Sequence, residues 1–378
     1  MKIAVNGKAL GAAEKGGVAR VALSLIRHLA LLRPDFFFNI FVPNARVDLD
    51  LPANVKIQCA GHPFSSNSFT RSFWEQIVLP RQIRKNDSYD ILLNLTNSAP
   101  VLFSLHVPQI LLVHDVGFRN TRWFSNFFSS YLTWVVATAA KRGVRFITVS
   151  ETSAQQLAEM LPNAVPAVVV PNDSDEPPPG LTAKKLDYRY GLFIGSLNPR
   201  KNFSGAIMGF QKFCATTNEE VRLIVVGGES SIFAAMPPPL RDFKNVVFTG
   251  YVEDDEKWAL LKGAEFLLLP SFLEGFGLPV LEALKIGTPV VASDIPVFRE
   301  LFADAIEYVD PYSAEDIGRG IHEVVTNRAK KNGLTRRGRE IAQLFSWKTS
   351  AQKYARLLEE ITASPQRNGA ASRHSSAL

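Results

Sequence analysis

AEFLLLPSFLEGFGLPVLEALKIGTPVVASD, Ala264–Asp294, reads as strand, glycine turn, helix, turn and strand. Two strands joined through one helix imply parallel pairing with a right-handed crossover. Gly275 and Gly277 let the backbone turn freely and approach a ligand closely. Pro279 suits the first helical position, where a missing N–H costs nothing, so the helix is expected to begin near Leu278. The free N–H groups of that helix start and of the glycine turn point at one spot and carry partial positive charge, which suits a diphosphate. Glu274 precedes this anion site, and Glu282, eight residues on, is expected in the first turn of the helix. Both can accept hydrogen bonds from hydroxyls flanking the diphosphate, Glu274 on the sugar side and Glu282 on the ribose side. A surface turn with one solvated Glu would account for an isolated EGFG. The flanking strands favour a ligand site.

The same alternation extends in both directions. Apolar runs at Lys2–Asn6, Phe37–Val42, Ile91–Leu95, Gln109–His114, Phe146–Ser150 and Ala167–Val170 are separated by helical patterns. A second series runs through Tyr190–Ser196, Arg222–Gly227, Val246–Thr249, Phe266–Leu269 and Val290–Ser293. Between the two series lies PNDSDEPPPGLTAKKLD, Pro171–Asp187, dense in proline and charge as a linker is. The expected organisation is an α/β protein of two Rossmann-like domains, 1–171 and 188–344, joined by 172–187. Ligands in such sheets bind beyond the carboxyl ends of the strands, so two facing domains make one cleft. FSWKTSAQKYARLLEEI reads as a helix over 345–362, and the polar stretch 363–378 reads as a disordered tail.

Composition narrows the function classes. A chain of 378 residues, 46% hydrophobic and 21% charged, is ordinary for a globular protein of two domains. A net charge of +6 suits anionic ligands or an anionic membrane surface and is too small to indicate nucleic acid. Cys59 and Cys214 stand far apart, and six scattered His add no zinc spacing, so no metal is expected and a reducing cytoplasm fits. MKIAVNGKAL turns polar after five residues and reads as a first strand rather than a secretory signal. No apolar run approaches the roughly 18 residues of a spanning helix, so any membrane contact is expected to be peripheral, at the inner face of the cytoplasmic membrane.

Two loop segments complete the cleft. GSLNPRKN places Arg200 and Lys201 at the carboxyl end of the strand Tyr190–Ser196, and QILLVHD ends another strand on His114 and Asp115. A loop charge pair is usually solvated, and a histidine at a buried strand end is more often a core residue. EKGGVARVALSLIRHL places Gly16 and Gly17 before an amphipathic helix, although it lacks a full G-x-G-x-x-G. SFTRSFWEQIVLPRQIRK (Ser68–Lys85) and FRNTRWFSNFFSSYLTW (Phe118–Trp134) interleave arginines with aromatics, a pattern of core packing or of a membrane-facing surface.

Ser271-x-x-Glu274-Gly-Phe-Gly-Leu-Pro-x-x-Glu282-Ala resembles the retaining glycosyltransferases of family 4, which have the GT-B fold. ITVSETSAQQL (Ile147–Leu157) and GTPVVASDIPVFREL (Gly287–Leu301) extend the resemblance over most of the chain, and RSFWEQIVLP followed by NSAP, HD and WFS is similar to bacterial mannosyl- or rhamnosyltransferases of polysaccharide and O-antigen assembly. The resemblance implies that Arg200 and Lys201 bind the donor diphosphate, a task otherwise given to a metal. His114 would donate a hydrogen bond to the transferred sugar, and Gly17, Gly195, Gly275, Phe276, Gly277 and Leu278 would line the donor site with Glu274 and Glu282. Arg20 and Asp115 would face the acceptor. The implied donor is GDP-mannose or a GDP-deoxyhexose, with no separate cofactor, and the implied acceptor is a lipid-linked saccharide. Asp173-x-Asp175, the one Asp-x-Asp considered for a metal, lies in the linker, and VVVPNDSDE (Val168–Glu176) departs from the family's P-N-G-V-D at the domain junction. Two other readings remain open: a catalytically silent sugar-nucleotide-binding protein, and a GT-B nucleotide-sugar epimerase.

Overall fold

The structure is a computed structural model describing residues 1–10, 16–44, 51–60, 68–85, 88–228 and 245–363. Among these, one sheet is built from β1 (Lys2–Asn6), β2 (Phe37–Val42), β3 (Val55–Cys59), β4 (Ile91–Asn94), β5 (Gln109–Val113), β6 (Arg145–Thr148) and β7 (Val168–Val169). Its order is β3-β2-β1-β4-β5-β6-β7, parallel throughout. A second parallel sheet, ordered β10-β9-β8-β11-β12-β13, holds β8 (Arg189–Ile194), β9 (Val221–Val226), β10 (Val246–Gly250), β11 (Leu267–Leu269), β12 (Val290–Ser293) and β13 (Glu307–Val309). Around the first sheet lie α1 (Gly17–Leu32), α2 (Ser68–Phe73), α3 (Leu79–Arg84), α4 (Asn126–Lys141) and α5 (Glu151–Met160). Around the second lie α6 (Phe203–Thr216), α7 (Asp254–Gly263), α8 (Leu278–Ile286), α9 (Pro296–Phe302), α10 (Ala314–Thr326) and α11 (Arg328–Ala342). The α/β, GT-B architecture read from the sequence is the observed one.

The central strands β4 and β11 are buried at every position, which is why they read as unbroken apolar runs rather than alternating ones. Two of the four edge strands escaped that reading. β3, VKIQC, is mostly exposed and mixes Lys56 and Gln58 with its apolar residues, and β13 is three residues long and opens on Glu307. In each sheet the strand order reverses once, between β1 and β4 and between β8 and β11, so the crevices beyond those strand ends are where ligands bind.

The last helix, α12 (Trp347–Ala363), begins two residues after the expected start and lies along α1 of the first sheet. Trp347 stacks on His28 with ring centroids 6.1 Å apart, Ser350 Oγ donates to the Pro171 carbonyl at 2.6 Å, and Arg33 pairs with Glu359. Residues 364–378, read as a tail, lie outside the described residues. The unusual junction sequence makes a defined contact. Asp173 is buried, accepts from the Trp347 backbone N–H at 3.2 Å and pairs with Lys285 at 2.8 Å, while Asp175 accepts from Ser24 Oγ at 2.8 Å. Both acids of the Asp-x-Asp are therefore committed to joining the two halves. No helix among the described residues is long and apolar enough to cross a membrane.

Candidate active site

The glycine turn and the start of α8 form the floor of the site. Gly277 takes φ +98°, a left-handed conformation that favours glycine, and a Cβ there would sit 2.6 Å from the Phe298 ring. No side chain caps the N-terminus of α8. Pro279 is its second residue rather than its first. Directly opposite, α1 also starts without a side-chain cap, on Gly16 and Gly17, and a Cβ on Gly17 would lie 3.5 Å from Leu278. Two helix N-termini, one from each domain, thus meet across the cleft, each with free N–H groups and a positive dipole end. The Phe276 ring is 4% exposed and packs edge-on against Phe345 at 5.4 Å, which leaves its main chain as the part of this residue in the turn.

Gly275 brings the two domains into contact. A Cβ on it would stand 2.1 Å from the His114 carbonyl oxygen, its own carbonyl accepts from Ser150 Oγ at 3.0 Å, and Ser153 Oγ donates to the His114 carbonyl at 2.9 Å. Above this junction sits a buried charge cluster. Lys201 Nζ lies 2.6 Å from Glu274 Oε1, and Arg200 Nη1 lies 3.4 Å from Glu274 Oε2, 3.5 Å from Asp115 Oδ2 and 2.9 Å from the Leu273 carbonyl. Burial alone would raise the Glu274 carboxyl, but Lys201 and Arg200 beside it hold it below its ordinary value. Burial pulls the Lys201 ammonium down despite the attraction of Glu274. Arg200 is held above its ordinary value by Glu274 and Asp115, which outweigh its burial.

Local sequence fixes both cations. Asn198 Oδ1 accepts from the Lys201 N–H at 3.1 Å and caps the short turn Pro199–Lys201. Asn202 follows in the left-handed region at φ 52° and caps α6 through Gly205 at 3.1 Å. Asn tolerates that conformation better than most side chains, which is why a non-glycine can stand there. The Lys201 stem runs along Gly195, where a Cβ would stand 3.7 Å away. Buried Nε–H groups of Arg200 and of Arg20 have no partner among the described residues. Unpaired buried donors beside a cationic cluster fit an anionic ligand.

Glu282 departs from expectation. It is the fifth residue of α8, in the second turn, so the helix start does not hold its charge. Lys257 of α7 does, at 2.6 Å, with both side chains buried. Sequence reasoning passed over Lys257. Its signal was helical spacing, since Lys257 shares the apolar face of α7 with Leu260 and Leu261. Arg20, expected toward an acceptor phosphate, instead reaches across the cleft to Asp254 and to Glu282 at 3.8 Å.

His114 is buried, and its Nε2 lies 3.2 Å from the Leu95 carbonyl, to which it must donate. Burial pushes the imidazole below its ordinary value, so the ring is neutral and its other nitrogen accepts. In that state the ring has no further N–H for the donor role expected of it. Asp115 Oδ1 accepts from the Gly117 N–H at 2.8 Å, and Asn97 ties this corner to the end of β4 by accepting from the His114 N–H at 2.8 Å.

A second polar cluster, unread in the sequence, lies on the first-domain side. Glu75 is fully buried inside a π-helical turn, Trp74–Val78, with Lys8 at 2.7 Å, Tyr131 OH at 2.9 Å and Asn6 Nδ2 at 2.8 Å, and Ser98 Oγ at 2.5 Å. The wide turn has a local cause: Pro80, which follows it, lacks an N–H and its ring crowds the carbonyl one turn back. Among the described residues no three His, Cys, Asp or Glu groups are placed to hold a metal ion.

Two family models match the chain, Glycosyltransferase Family 4 over residues 15–173 and Glycosyl transferases group 1 over residues 181–341. The chain is similar to O-antigen chain mannosyltransferase B of Escherichia coli, 31% identical over 47% of this chain and 48% of that protein. It is also similar to an O-antigen chain mannosyltransferase of Salmonella typhimurium, 30% identical over 54% of this chain and 57% of that one. These matches span about half the length of the curated relatives. Among solved structures, the fold is similar to an Anabaena protein in complex with UDP-glucose, with a TM-score of 0.71 and 18% identity over 95% of this chain and all of that one.

Proposed function

The chain belongs to the GT-B glycosyltransferases, and on that basis we propose that it transfers a hexosyl residue from a nucleoside diphosphate sugar to a saccharide acceptor. The observation that carries this reading is the buried Lys201–Glu274–Arg200 cluster beside two facing, uncapped helix starts. A nucleoside diphosphate seated there meets Lys201, Arg200 and both dipole ends, which stabilise the negative charge that grows as the sugar departs. Glu274 and Glu282, each fixed by a buried lysine, accept hydroxyls of the sugar and of the ribose.

In a retaining reaction the bond between the anomeric carbon and the phosphate oxygen breaks. The acceptor oxygen bonds to that carbon from the same side, and its proton passes to a donor phosphate oxygen. Lys201 and Arg200 then balance the charge that a metal ion balances in other phosphate chemistry. Relatedness to O-antigen mannosyltransferases favours a GDP-linked mannose or deoxyhexose and a lipid-linked saccharide acceptor. Thermal unfolding in the presence of GDP-, UDP- and dTDP-sugars tests the donor, because a ligand at a hundred times its Kd stabilises by about 2.7 kcal/mol. The largest upward shift is expected with GDP-mannose; a larger shift with a UDP-sugar contradicts the guanine assignment.

Lys257→Met removes the partner that holds the Glu282 carboxylate in place at 2.6 Å. KM for the donor is expected to rise about tenfold while kcat changes little, the signature of lost ground-state binding. Steady-state kinetics with the donor varied checks it, and an unchanged KM removes Glu282 from the ribose site.

A further inference from the structure

Residues 68–85 and 117–142 carry eight Lys and Arg against one acid, the buried Glu75, a net +7 in a chain whose total is +6. The positive excess of the chain therefore lies in two segments, and they pack together. Phe69 of α2 meets Phe127 of α4 with ring centroids 6.3 Å apart, and one helical stretch further along Gln76 Nε2 donates to Tyr131 OH at 3.0 Å. Those two contacts align the Phe69–Phe73 face of one helix with the Phe127–Tyr131–Trp134 face of the other. Four of these aromatic residues are exposed. Phe69 is 62% exposed, Phe127 65%, Phe73 48% and Trp134 43%. Exposed cations stand at both ends of the strip, Arg119 and Arg122 ahead of α4 and Arg81, Arg84 and Lys85 at the end of α3.

We infer that this face seats the protein on an anionic lipid bilayer, the aromatics entering the interface and the arginines meeting lipid phosphates. Large apolar side chains exposed in a row and rimmed by one sign of charge are unusual on a surface that stays in water. Phe and Trp at a lipid boundary with basic neighbours are what such an interface takes. The strip also leads to the cleft: Tyr131, whose ring packs 6.1 Å from Trp134, sends its hydroxyl to Glu75, and Ser98 of that cluster adjoins Asn97, which holds His114. A protein docked by this face holds the acceptor side of its cleft beside the bilayer. That consequence rests on the proposed lipid-linked acceptor; the docking itself does not.

Sedimentation of the full chain with phosphatidylcholine vesicles, with and without phosphatidylglycerol, tests it. Binding is expected to the anionic vesicles, and Phe69→Ser/Phe127→Ser and Arg119→Glu/Arg122→Glu are each expected to weaken it about tenfold. Thermal unfolding and the nucleotide-sugar shift of both variants should match the unsubstituted protein, which shows that they are folded. Failure of the unsubstituted protein to sediment, or variants that sediment as it does, overturns the inference. So does retention on heparin that the arginine pair alone controls, without vesicle binding, since the face would then serve a soluble polyanion. Transfer to a water-soluble saccharide is read separately: its loss counts against the glycosyltransferase reading, and its persistence without vesicle binding counts against the docking face alone.

Discussion

Lys201→Ala is expected to lower kcat about a thousandfold, the upper end of what removal of one charge-stabilising group costs in a preorganised site, or about 4 kcal/mol of the barrier. The substitution also leaves the buried Glu274 with Arg200, at 3.4 Å, as its one remaining cationic partner among the described residues. Breaking a buried pair by removing one member costs roughly 3–5 kcal/mol, so the unfolding temperature is expected to fall as well. The two effects separate in a double variant. Lys201→Met with Glu274→Gln removes the stranded charge and should recover most of the lost stability while leaving kcat as low as before. Rates measured well below the unfolding temperature, together with calorimetry, check this. Recovery of turnover along with stability would make Lys201 a structural partner of Glu274 and nothing more.

Gly275→Ala tests the contact between the domains. The added Cβ would stand 2.1 Å from the His114 carbonyl oxygen and 2.9 Å from its carbon. Neither atom can swing aside, because both are main chain and Ser153 Oγ already holds that carbonyl at 2.9 Å. The two sheets must separate locally, which moves Glu274 and His114 apart. Overpacking of this kind costs about 1–3 kcal/mol, and misplacing reacting groups by an ångström costs about a hundredfold in rate. Activity is therefore expected to fall about a hundredfold with a lowered unfolding temperature. Gly333→Ala, in α11 where an added Cβ meets nothing within 4 Å, is the matched control and should leave both unchanged or raise stability slightly. Normal activity in Gly275→Ala would mean that the contact between Gly275 and His114 is not part of the working site.

What could be read in the sequence followed a physical rule. β1, β2 and β12 stand where their apolar runs placed them, because buried parallel strands are apolar on both faces. β3 and β13 were missed because an exposed or very short strand has no such run. The glycine turn and the Arg200–Lys201 pair were legible as local motifs in one loop each. Lys257, Glu75, Ser150 and Ser153 were not, since each acquires meaning from a partner on another element: Glu282, Lys8, the Gly275 carbonyl and the His114 carbonyl. The differences from expectation have the same source. Glu282, expected in the first helical turn, stands in the second and is held by a lysine 25 positions earlier, and Arg20, expected to face the acceptor, pairs with two acids across the cleft. His114, expected to donate toward the sugar, donates its ring N–H to the Leu95 carbonyl, a partner invisible in the sequence.

The most direct test of the central claim is incubation of the protein with a nucleotide sugar, with and without a lipid-linked saccharide, followed by chromatography of nucleotide and glycan together. Release of nucleoside diphosphate matched by a new glycoside, and only when the saccharide is present, is the expected result. An altered free or nucleotide-linked sugar formed without the saccharide, or no change in either condition across the GDP-, UDP- and dTDP-sugars, would contradict it.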